Sequence, residues 1–67
     1  MNIRNEFTEP ECEWFRAVCN FTPDERSVFD LRVKDKSRIE IAMALKMSES
    51  TVDRRIRGIK KKIHKVL

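Results

Sequence analysis

Glycine is almost missing from this chain of 67 residues, which has one Gly and two Pro, and no apolar run approaches the roughly 20 residues of a membrane span. Strand-like alternation is missing too, so the patterning points to an all-α chain. Residues Met1 to Phe7 include Arg4 and Glu6 and no apolar stretch, which does not read as a signal peptide. The expected compartment is therefore the cytoplasm. Histidine is also scarce: His64, the single one, lies far along the chain from Cys12 and Cys19, so no metal-ligand spacing emerges. A helix separates the two cysteine Cα atoms by about 10 Å, beyond the ~7 Å a disulfide can bridge, and both read as reduced apolar residues.

A chain this short permits one small domain, expected over 1–67, and excludes most enzymes. A two-lobed active site or a nucleotide fold needs more residues. No acid/base pair, nucleophile with its base, or phosphate loop can be nominated, so neither catalysis nor a cofactor is expected.

The net charge of +4 conceals a division. Residues 1–30 carry three basic and seven acidic side chains, a net of −4, whereas residues 31–67 carry twelve and four, a net of +8. A segregated positive half suits a polyanion partner. The plainer alternative is a solvated, lysine-rich terminal helix.

Helix starts are unusually clear. Thr8 with Glu11, Thr22 with Glu25 and Ser37 with Glu40 are capping boxes, in which a hydroxyl accepts from a first-turn amide and a carboxylate reaches back to the cap's own N–H. Pro10 and Pro23 fall in first turns, where a missing N–H costs little, and Ser48 can cap a fourth helix. These signals predict helices over about 9–19, 23–33, 38–45 and 49–65. Their apolar stripes, read as core, are Trp14, Phe15, Val18 and Cys19; Val28, Phe29 and Leu31; Ile41, Ala42 and Leu45; and Val52, Ile56, Ile59 and Ile63.

The last two helices are separated by Lys46, Met47 and the cap Ser48. Small Ala42 allows a close crossing and Met47 fills the gap between them, which describes a helix-turn-helix over about 37–65. The expected fold is an all-α, four-helix domain with this motif at its C-terminus. At about 100° per residue, Ser50, Arg54, Arg57 and Lys61 project opposite the apolar stripe. Asp53, Lys60 and His64 fall on one flank, Arg55 and Lys62 on the other.

In this motif the start of the second helix enters the major groove. Glu49, Ser50, Asp53, Arg54 and Arg57 are thus the candidate base readers: an Arg can donate twice to guanine, and an acid can accept from cytosine N4. Asp53 either reads a base or pairs with Arg57. Candidate phosphate contacts are Lys36, Ser37, Arg38, Thr51, Arg55, Lys60 and Lys61, with Lys62 and Lys65 adding contact or field. Ser37 and the amides after it form a helix N-terminus suited to phosphate.

The stretch FTPDERSVFDLR from Phe21 resembles the opening of region 4 of bacterial sigma factors and of LuxR/GerE-type DNA-binding domains. SRIEIAMALKMSESTVDRRIRGIKKKI, Ser37 to Ile63, resembles the helix-turn-helix that follows in both. The tail from Thr51 and a helix ahead of the Pro motif are closer to sigma; the spacing from Val28 to Ser37 is closer to LuxR. LuxR-type domains carry a further, dimerising helix where this chain stops, which leads us to expect a monomer or weak dimer, and not a complete sigma factor. Two departures stand out. Lys46 replaces the usual turn Gly, implying a left-handed or adjusted turn at about 1 kcal/mol, and Asp35-Lys36 replaces Gly-Leu, implying a more exposed loop.

The resemblance implies a transcription regulator or sigma-like subunit that binds double-stranded promoter DNA, with the RNA polymerase core (its β flap) or a partner sigma subunit as further partners, located with the nucleoid. A second class of function is an adaptor with weak DNA affinity, in which the acidic first helix, or exposed parts of Trp14 and Phe15, binds polymerase or an anti-sigma partner. A membrane-surface role for the basic last helix is a weaker third, and no membrane partner is expected.

Overall fold

The computed structural model describes residues 8–67, and the N-terminal segment read above for a signal peptide lies outside them. Four helices follow in order: α1 (Glu9–Val18), α2 (Pro23–Val33), α3 (Arg38–Leu45) and α4 (Glu49–Val66). Their starts are those the caps predict. Each of Thr8, Thr22 and Ser37 accepts at its hydroxyl from the amide three residues on, and the partner glutamate accepts from the cap's own N–H. Ser48 accepts from the Thr51 amide at 3.1 Å. The cap bonds also hold the carboxyls of Glu11 and Glu40 below the ordinary glutamate range.

Helix ends must turn without glycine. Asn20, Asp35 and Lys46 take the left-handed conformation, with φ of 53°, 65° and 54°. Asn and Asp tolerate it through their short polar side chains; Lys46 has no such relief, and it meets the expectation of a left-handed turn. Asp35 takes the position that fits Gly in the resemblance, and the adjoining Lys36 is exposed as expected.

One cluster joins all four helices: Cys12, Phe15 and Cys19 from α1 and its cap, Val28 and Phe29 from α2, Ile41 and Ala42 from α3, and Val52, Ile59 and Ile63 from α4. Met47 packs against it between α3 and α4, as do Leu31, Leu45 and Ile56, which are only partly buried. The α1 stripe differs from expectation. Trp14 and Val18 are 47% and 41% exposed, while Cys12 is buried. Cys12, Phe15 and Cys19 are spaced three and four apart and so share a face; Trp14 and Val18 are turned about 100° off it. Both thiols are free, and burial pushes them above the ordinary cysteine range.

With 18 residues at about 1.5 Å each, α4 is about 27 Å long. The molecule's longest dimension is 29 Å, so α4 is the spine on which the other helices are set.

Candidate nucleic-acid interface

The apolar stripe of α4 fixes its rotation. With Val52, Ile59 and Ile63 fully buried, Ser50, Arg54, Arg57 and Lys61 emerge together on the exposed side. The two flanks then meet different neighbours. On the α3 flank, Asp53 pairs with Arg38, and Lys60 lines a cleft with Arg32, Ser37, Arg38 and Ile39. On the α2 flank, Arg55 lies 3.5 Å from Asp24 and Lys62 lies 2.5 Å from Glu25.

These pairings sort the candidate residues. Arg54 and Arg57 are exposed and have no hydrogen bond or ion pair among the described residues, and Ser50 is equally open. Glu49 and Asp53 are both held by Arg38, at 3.2 Å each. Of the two roles expected for Asp53, the ion pair is made with Arg38, which stands across from it at the start of α3, and not with Arg57. Thr51 is tied to the cap, its hydroxyl 2.9 Å from that of Ser48. Ser37 gives its N–H to Glu40 and accepts the Glu40 amide, so both of its polar groups serve the helix start. Lys36, Lys61 and Lys65 are exposed.

Lys62 departs most from expectation. Its ammonium donates to the Glu25 carboxylate at 2.5 Å and to the Asn20 carbonyl at 3.1 Å, under the domain and away from the exposed stripe. Glu25 is 8% exposed and also accepts from the Thr22 amide at 3.0 Å. Burial is the largest single influence on its carboxyl and raises it; the bonds from Lys62 and Thr22 together outweigh burial and leave it below the ordinary range. Gly58 completes the cluster, since a Cβ there would stand 2.5 Å from Glu25 Oε2. The chain's single glycine is therefore spent on a close approach inside a helix and not on a turn. Sequence reading missed this cluster, although a lone Gly within a helical pattern is a recognised sign of tight packing.

An exposed basic stripe on the second helix of a helix-turn-helix is what a major-groove reader presents. Residues 19–65 match the model of the family described as bacterial regulatory proteins, luxR family (GerE). The chain belongs to the LuxR family. It is accordingly a DNA-binding transcription regulator in general character, with a helix-turn-helix formed by α3 and α4. The LuxR match takes in α2, α3 and nearly all of α4 and leaves α1 outside. No curated protein and no solved structure matches the chain. Among the described residues no helix is long and apolar enough to cross a membrane.

Proposed function

We propose that this LuxR-family chain reads promoter DNA by inserting the N-terminal half of α4 into the major groove, with residues 8–67 acting as one unit. The observation that carries it is the availability of Arg54 and Arg57: both are exposed, three residues apart on one helix face, and neither is neutralised by a described neighbour. A free guanidinium there can donate two hydrogen bonds to guanine O6 and N7. Lys61 continues that stripe, Lys60 lies on its α3 flank and Lys36 is exposed in the loop before α3, and these three serve phosphates. The resemblance to sigma region 4 supports a place beside RNA polymerase, as a regulator or sigma-like subunit. Reduced Cys12 and Cys19 suit the cytoplasm, where such a partner and the nucleoid are found.

Selection of bound duplexes from a random pool tests this directly. An enriched motif is expected, with binding that weakens steeply as salt rises; a pool without enrichment sinks sequence-specific reading by this chain.

A second reading has its own observation. Trp14 and Val18 are exposed four residues apart on one face of α1, a helix that also carries exposed Glu9, Glu11 and Glu13, and this acidic, partly apolar surface suits a polymerase or anti-sigma partner. On that view, capture of polymerase persists in Arg54→Ala and is lost in a Trp14→Glu, Val18→Glu variant. Capture unaffected by the α1 changes argues against it.

A further inference from the structure

Two of the side chains at the groove-facing end of α4 are acidic, which is an odd provision for contact with a polyanion. DNA carries about one negative charge per 1.7 Å of its axis, so Glu49 and Asp53 would be repelled if they approached it bare. They are not bare. Arg38 opens α3 and lies across the start of α4, with Nε and Nη2 each 3.2 Å from Glu49 Oε1. Its Nη1 donates to both Asp53 oxygens, at 3.2 and 3.4 Å. One planar guanidinium thus spans two carboxylates from different parts of its fork, an arrangement the point charge of a lysine does not reproduce.

We propose that Arg38, Glu49 and Asp53 act as one unit on DNA, in which Arg38 is a positioning residue that neutralises and orients the two carboxylates so that Asp53 accepts from a cytosine amino group in the major groove. Arg38 then acts on DNA through the acids and not as a phosphate contact. All three side chains are 38–52% exposed, so the pairs add little to folding, and binding can be altered without loss of the fold. A carboxylate has about four acceptor positions, and those not used by Arg38 remain for a base. This inference rests on the major-groove reading above and gives it a specificity at one base pair.

A double-mutant cycle on DNA affinity tests it, using the selected duplex, the full chain, Arg38→Ala, Glu49→Gln/Asp53→Asn, and the triple variant. Melting temperatures should agree within about 8 °C. Arg38→Ala is expected to weaken binding roughly tenfold or more, because it leaves two carboxylates facing phosphates, and to do so by less than about twofold once the acids are amides. Arg38→Lys is expected to fall between the two, and Asp53→Asn to relax the cytosine preference at one position. Should Arg38→Ala unfold, Arg38→Met takes its place in the same cycle. Equal losses in both backgrounds, with a salt slope lowered by about one, would mark a phosphate contact and overturn the inference, as would an unchanged base profile in Asp53→Asn. A full chain that selects no duplex overturns the major-groove reading as well, so the two failures are distinguishable.

Discussion

The two halves of α4 carry three and four basic side chains, for net charges of +1 and +4, and neighbouring helices engage them differently. From Glu49 to Arg57 the acids are held by α3, and Arg54 and Arg57 are left open; from Gly58 onward Lys62 is drawn under the domain to a buried Glu25 while Lys61 and Lys65 stay exposed. The net charge of a segment therefore does not say which cations a polyanion can reach. What decides it is whether a neighbouring helix supplies a carboxylate.

The largest effect should come from the buried end of this contrast. Glu25→Ala removes a cap partner and leaves the Lys62 ammonium without its carboxylate, with an expected loss of about 2–3 kcal/mol in chemical denaturation. The same carboxyl is held below the ordinary range in the folded state, so its contribution is full above that range and is lost as pH falls through the lowered native value. Acid unfolding of the full chain should steepen there, and Glu25→Gln should flatten it.

Gly58→Ala sharpens the point by changing sign. Alanine favours a helix by about 1 kcal/mol over glycine, yet here its Cβ would meet Glu25 Oε2, on a carboxylate whose other oxygen, Oε1, is anchored by the Thr22 amide and the Lys62 ammonium. A net loss of about 1 kcal/mol is expected in the full chain and a gain of about 1 kcal/mol in the Glu25→Ala background. Loss in both backgrounds would place the strain elsewhere.

Lys46→Gly should stabilise by somewhat under 1 kcal/mol by relieving the left-handed turn between α3 and α4, measured as a higher midpoint of denaturation. The smallest effect separates the two kinds of lysine. Lys61→Ala should lower the salt slope of DNA binding by about one unit with stability unchanged, whereas Lys62→Ala should cost stability and leave the slope alone.

Much of this fold was legible because its signals are local. A capping box is complete within four residues, and the starts of α1, α2, α3 and α4 all sit where Thr8, Thr22, Ser37 and Ser48 put them. The exposed stripe Ser50, Arg54, Arg57 and Lys61 was legible for the same reason, since helical period alone relates them. Trp14 was misplaced because a short helix with apolar residues on adjoining faces does not declare which face meets the core. The pairs of Arg38 with Asp53, 15 residues apart, and of Lys62 with Glu25, 37 apart, depend on how helices cross, which no local pattern encodes.

The most direct test compares the base preferences of the full chain with those of Arg54→Ala and Arg57→Ala, using every single-base variant of the selected duplex. Each substitution should erase discrimination worth about 1–3 kcal/mol at one guanine and leave the other positions as they were. A uniform loss across all variants, with no position relaxed, would contradict the claim that these two free arginines read the groove.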